Sequence, residues 1–201
     1  MEKVKEKMKT EEDYFYIELG KTIQSWLWIE SEMYRLYSAI MGEANHHLVS
    51  VTFHHVESFE SKCTLIDRCL KLMLDQKSEE YINWKKLRKK AQKLNLKRNK
   101  IVHEPVIISM QGSKIKNIYI STSFSNALAL VKGHTSHQGP IMTIEYTPSQ
   151  AKIKSEHKID YLKLITIGKS FKDLSAELGK FKESILPIIN NAHENVKSKK
   201  K

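Results

Sequence analysis

Arginine, cysteine, proline and long apolar runs are all scarce in this chain, and each shortage excludes something. No apolar stretch approaches the ~18 residues that a spanning helix needs, so a membrane span is not expected. The first residues, Met1-Glu-Lys-Val-Lys-Glu-Lys-Met-Lys, are charged and contain no apolar segment of the kind a secretory signal requires. There are two cysteines, Cys63 and Cys69, spaced six apart within one helical pattern. That spacing turns them to different helix faces, which disfavours a disulfide and suits buried thiols in a reducing compartment, with a cytoplasmic location expected. No glycine-rich phosphate loop, paired-carboxylate motif or serine nucleophile elbow is present, which removes the common signatures of nucleotide hydrolysis and serine-based acyl transfer.

What is abundant is positive charge. The 201 residues carry a net charge of +11, with a sequence pI near 9.5. Such a surface favours polyanions (RNA, DNA or an acidic protein), although lysine-rich helices are also simply well solvated. Of the 34 basic residues only four are arginine: Arg35, Arg68, Arg88 and Arg98. Arginine presents a planar fork suited to phosphate or carboxylate, so each of the four stands where lysine would otherwise serve.

Hydrophobic periodicity predicts a mainly α protein, a single domain over 1–195 with a basic tail at 196–201. Helices are expected at about 11–42, 48–75, 79–104 and 160–187, around a small antiparallel β insertion at about 106–147. The first helix starts at Thr10 before three acids and ends at Gly42, with Tyr16, Ile23, Trp26, Leu27, Met33, Tyr34, Tyr37 and Ile40 as its apolar set. The second reads through Leu48, Val51, Val56, Phe59, Cys63, Ile66 and Leu70, with a possible break near Glu57-Ser58. The last starts at Asp160, carries Leu162, Ile165, Phe171, Leu174, Leu178, Phe181 and Ile185, and is expected to be interrupted at Pro187. Between helices the period falls to two over 106–110, 115–123, 128–131 and 141–146, with His134 and His137 in a glycine-flanked loop.

The third helix carries the most informative pattern. Trp84, Leu87, Ala91, Leu94, Arg98 and Ile101 follow one another at spacings of 3, 4, 3, 4 and 3, so one apolar stripe contains an arginine. A cation on a core-facing stripe is costly unless it has a task or a partner. Pro105 ends the helix, leaving His103 in its last turn, where the partial negative charge of the helix end favours a protonated imidazole. An arginine and a histidine together suit RNA cleavage without a metal. Histidine moves protons near neutral pH, and arginine holds the phosphoryl oxygens as charge builds on them. Five residues on an ideal helix separate Arg98 from His103 by ~140°, so the two do not stack on one face. Two copies about a dyad would surround one cleft with two such pairs. Lys85, Lys86, Arg88, Lys89, Lys90, Lys93 and Lys97 form a basic face on the same helix, either a solvated surface or a track for phosphates.

The phrase Leu94-Asn-Leu-Lys-Arg-Asn-Lys-Ile-Val-His103 resembles the end of the third helix in the HEPN superfamily, matching its R-x(4 to 6)-H motif with a polar residue after the arginine. Residues around Trp26, Glu30 and Leu36 resemble the family's first helix. The likeness covers about 11–105 and, more loosely, 160–187; the strands between depart from the minimal bundle. The resemblance implies an antiparallel helical bundle, a homodimer with both motifs at the interface, and a metal-independent endoribonuclease without cofactor, acting as a toxin or antiviral defence factor. It implies that Arg98 binds phosphate, His103 is the acid/base and Asn99 orients the site. One branch carries, two residues after the histidine, a tyrosine modified by a nucleotidyltransferase antitoxin; here that position is Pro105. An antitoxin of that or another kind is thus an implied partner, beside RNA. RNA contacts are expected at Arg88, Lys93, Lys97 and Lys100. Glu30 is expected to support the site by pairing with Arg98, unless it pairs with Arg35 or lies on the surface. The alternative is a non-catalytic module binding RNA or protein, with Arg98 as an ion-pair partner and His103 as a helix cap.

Other candidates are weaker. His46, His47, His54 and His55 lack an acid or cysteine at ligand spacing, so no metal is expected. Trp26, Trp28 and Trp84 read as core or interface residues before base-stacking platforms.

Overall fold

The computed structural model describes residues 10–42, 46–111, 114–121 and 158–198. They are mainly helical, with five helices and a small antiparallel sheet: α1 (Glu11–Met41), α2 (His46–His55), α3 (Phe59–Met73), α4 (Glu79–His103), β1 (Val106–Gln111), β2 (Lys114–Ser121), β3 (Lys158–Ile159) and α5 (Tyr161–Ser198). The expected strands at 128–131 and 141–146, and the loop with His134 and His137, lie outside the described residues.

Local chemistry sets the helix ends. Thr10 caps α1: its Oγ1 accepts from the Asp13 N–H at 3.2 Å, and the Asp13 carboxylate accepts from the Thr10 N–H at 2.7 Å. Gly42, at φ 65°, closes the other end, a backbone angle that glycine adopts without penalty. Ser58 and Ser78 cap α3 and α4. Asp160 caps α5 through the Lys163 N–H at 2.9 Å.

The break offered near Glu57-Ser58 is present, and two expectations about the last helix are corrected. The second helix is two, broken where Ser58 offers its side chain to a new helix start. The break resets the helical phase, so α2 buries Val49 and Phe53 and leaves Leu48 and Val51 exposed. The last helix runs unbroken through Pro187, because Ile185 and Ile189 are buried on either side of it and packing outweighs one lost backbone bond. It continues to Ser198, so the start of the expected basic tail is helical backbone. Its core face begins with Leu164 and Ile167, while Leu162 and Ile165 are exposed.

Successive helices alternate in direction. Phe53 returns α2 to Tyr34 and Tyr37 of α1. Trp26 meets Phe59, and Glu30 meets Lys62, so α3 runs with α1. Glu60 reaches Gln92 and Asp67 reaches Tyr81, so α4 runs against α3. Crossing through the sheet, the chain returns in α5, antiparallel to α4 (Trp84 on Phe181) and parallel to α1 (Trp26 on Phe171, His193 on the Ile40 carbonyl). The parallel α1–α5 pair is the most extensive helix contact, which a plain antiparallel bundle does not predict. Gly168 fits against Thr22 at this seam, where a Cβ would lie 3.0 Å from the threonine hydroxyl. The sheet order is β1-β2-β3, both pairings antiparallel, with Val106 opposite Ile120 and Ile120 opposite Ile159. The third strand directly precedes Asp160, a position the sequence period did not single out.

One hydrophobic cluster joins all five helices to Ile120 and Ile159. Cys63 is buried in it, and burial pushes its thiol up to about 12. Both cysteines are free. No helix among the described residues is long and apolar enough to cross a membrane.

Candidate nucleic-acid interface at the end of helix four

Helix α4 buries Tyr81, Trp84, Leu87, Ala91, Leu94 and Ile101, so the apolar stripe read from the sequence is the one that packs. Its first half is enclosed by α3. Asp67, only 4% exposed, accepts from Tyr81 Oη at 3.0 Å and Trp84 Nε1 at 3.1 Å, and pairs with Lys71 at 2.9 Å and Arg88 Nη1 at 3.1 Å. Burial pushes the Asp67 carboxyl up, but the hydrogen bonds from Lys71, Tyr81 and Trp84 and the Arg88 charge outweigh it and hold it below its ordinary value. Arg88 Nη2 also meets Glu60 at 3.3 Å and Thr64 at 3.2 Å, leaving Nε the orphaned buried polar atom among the described residues. Arg88 was expected on the RNA-facing surface. The structure turns its fork inward instead, onto the one buried carboxylate within reach. Lys90 is likewise paired, with Glu177 of α5 at 2.6 Å.

The second half of α4 stands differently. Glu60, in the first turn of α3, accepts from Gln92 at 2.6 Å, and α3 extends no further alongside α4. Beyond Gln92, α4 continues for residues 93–103, roughly 16 Å of helix. This explains how an arginine is tolerated on the stripe. Arg98 is half-buried, and Val102, on the same side one turn on, is 41% exposed because the covering helix has ended. Helix α1 shows the same opening. Tyr16, Leu27 and Tyr34 lie close to one azimuth; Tyr34 is covered by Phe53 of α2, while Tyr16 and Leu27 are 45% and 50% exposed. Both tyrosine and leucine were expected in the core, and they lie uncovered for this reason.

The motif residues fall as follows. Arg98 Nη1 donates to Asn99 Oδ1 at 3.1 Å, so the two polar residues of the motif act as a pair. His103 is the last helical residue and is exposed; Glu104 caps the helix, its N–H donating to the Lys100 carbonyl at 3.2 Å. Among the described residues, no hydrogen bond or ion pair joins His103 to Arg98. Lys93, Lys97 and Lys100 are exposed, and residues 93–103 contain no acid. Glu30 does not reach Arg98. It accepts from Trp26 Nε1 at 2.8 Å and pairs with Lys62 of α3 at 3.4 Å, whereas Arg98 lies beyond the start of α3. Arg35 pairs with Glu32 at 2.7 Å. Asn95, half-buried one turn before Arg98 and Asn99, is a further polar residue on the uncovered side that the R-x4-H pattern does not include. Its spacing of four from Asn99 places the two on one face of α4.

The histidines of α2 do not assemble a site: His54 packs on Tyr34 and Phe53, and no group of three or more potential ligands occurs among the described residues. Compared with known proteins, the chain matches no family model, no curated protein and no solved structure.

Proposed function

We propose that this protein is a HEPN-like, metal-independent endoribonuclease working as a homodimer, with Arg98 and His103 as its catalytic residues. The observation that carries this reading is Arg98 itself, a half-buried arginine on the core-facing stripe of α4, placed where α3 no longer covers it. Around it the helix end holds Lys93, Lys97, Lys100 and His103, with no acid within 93–103 and Glu104 only at the cap. The exposed apolar residues Tyr16 and Leu27 of α1 and Val102 of α4 offer surface for a second copy.

The chemistry follows from the residue types. A neutral histidine takes the ribose 2′-hydroxyl proton, and the oxygen attacks the adjacent phosphorus. A protonated histidine returns a proton to the departing 5′-oxygen. The products are a 2′,3′-cyclic phosphate and a 5′-hydroxyl. Two histidines, one from each protomer, supply base and acid together. Arg98, oriented by Asn99, holds the non-bridging oxygens as charge accumulates. The lysines hold flanking phosphates. Toxin or antiviral defence roles, with a dedicated antitoxin, fit such a nuclease.

Cleavage of a mixed RNA substrate in excess EDTA, with product ends analysed for cyclic phosphate, tests this. Activity should persist in EDTA, and His103→Ala should lower the rate about 100- to 10,000-fold. Undiminished cleavage by that variant overturns the catalytic assignment. Salt-dependent RNA binding without product, insensitive to His103→Ala, favours the non-catalytic binding module.

A further inference from the structure

At the same end of the bundle as the α4 terminus, the first turns of α1 and α5 meet the sheet around a cavity of about 480 Å³. Its walls are Glu11, Tyr14 and Phe15 of α1, Lys116, Asn117 and Ile118 of β2, and Tyr161 of α5. The volume falls within the ~300–1,000 Å³ of small-ligand sites. Three features decide what suits it. Tyr14 and Tyr161 come from different helices and are 52% and 39% exposed, so two aromatic rings are accessible at its mouth. Consecutive strand residues alternate faces, so a wall made of 116, 117 and 118 together meets the strand at its edge. That edge is opposite β1; among the described residues β3 covers it at Ile120 and Ser121. Strand geometry turns the backbone groups of alternate residues towards that edge, beside Asn117. Finally, Lys116 supplies a cation and Glu11 a carboxylate.

We propose that this cavity is a purine-nucleotide subsite with a preference for guanine. Aromatic faces stack on a base, and an amide with a strand edge reads its polar rim. Lys116 takes the phosphate. Glu11, an acceptor only, matches guanine, whose N1–H and N2–H donors lie side by side; adenine and uracil present no such pair. The ligand is either a base of the RNA strand or a free guanosine nucleotide. Its place near the motif is topological: only Glu104 and Pro105 separate α4 from β1, and β1 pairs along β2. As a contact for the RNA substrate, the subsite rests on the ribonuclease reading; as a nucleotide site it does not.

The test uses the full chain carrying His103→Ala, so that nothing is cleaved and failure is separate from failure of the nuclease reading. Calorimetric titration with GMP, AMP and UMP should give saturable binding strongest for GMP. Tyr161→Ala and Tyr14→Ala should each weaken GMP about tenfold or more, Tyr161→Phe should not, and Glu11→Gln should erase the preference over AMP. Arg98→Ala should leave GMP affinity unchanged. A 2′-O-methyl oligonucleotide with a single guanine separates the sources: tyrosine-dependent binding tighter than GMP assigns the site to an RNA base, and equal binding assigns it to the free nucleotide. No saturable binding of either probe at millimolar concentration overturns the proposal. So does GMP binding lost with Arg98→Ala and untouched by both tyrosine variants.

Discussion

Helix α4 carries two arginines ten residues apart, and the bundle treats them in opposite ways. Arg88 lies where α3 runs alongside; its fork is divided between Asp67, Glu60 and Thr64, and the helix there is locked to its neighbours by Tyr81 and Trp84. Arg98 lies past the start of α3 and, among the described residues, bonds to the neighbouring Asn99, on a stretch (93–103) whose own sequence contains no acid. The same residue type on the same helix is structural in one half and available in the other. The difference is set by where α3 begins, which in turn is set by the Ser58 cap. A basic helix is thus not one surface, and its charge has to be read against what packs beside each turn.

The largest expected effect that would break this comparison is catalytic. Arg98→Ala and His103→Ala should each reduce RNA cleavage about 100-fold or more, with urea midpoints close to the parent. If Arg98→Ala unfolds the protein, the second half of α4 is structural after all. Asp67→Ala should act in reverse. It strands the donors of Arg88, Tyr81 and Trp84 in the interior and should lower stability by about 3–5 kcal/mol in urea denaturation. Arg88→Ala removes one of several partners of the same carboxylate and should cost about 2–3 kcal/mol. Its specific activity per folded molecule, read at low temperature, should match the parent; loss of activity at full folding would return Arg88 to the RNA surface.

Much of this was legible in the sequence, and the failures share causes. The stripe through Trp84 and Leu94, the misfit of Arg98 and the exposure of His103 before Pro105 follow from period and helix-breaking chemistry alone. The caps at Thr10, Gly42 and Asp160 are local and equally readable. What was not readable depends on which helix lies beside which turn. Tyr16 and Leu27 fit an apolar stripe that no helix covers, Glu30 finds Lys62 and not Arg98, and Arg88 finds a carboxylate from α3. Phase was lost at the α2–α3 break because a period carried across Ser58 puts Leu48 and Val51 on the wrong side. Asp67 was missed because a single acid among Leu, Ile and Cys on a helix gives no sign that four donors await it.

Acid sharpens the contrast between the halves. Asp67 is held below its ordinary carboxylate value in the folded state, so it contributes stability at pH above the unfolded value of about 3.9 and loses that contribution as pH falls through its folded value. The urea midpoint should therefore stay level from about pH 7 to 5 and fall below about pH 4, and in Asp67→Asn the acid limb should be shallower. An unchanged acid limb in that variant would remove Asp67 as the anchor of the first half.

The smallest effect concerns the lysines of the second half. Lys93, Lys97 and Lys100 are exposed and form no ion pair among the described residues, so if they lie against RNA phosphates each should contribute about 0.7 to the slope of log affinity against log salt for a single-stranded target. Replacing them one at a time with glutamine, in the His103→Ala background, should lower the slope by that step while leaving sequence preference untouched. Lys90, tied to Glu177 in the first half, is the internal control, and its replacement should leave the slope unchanged. Equal steps for Lys90 and Lys97 would mean that RNA runs the length of the helix, and that the boundary drawn by α3 organises the packing but not the binding.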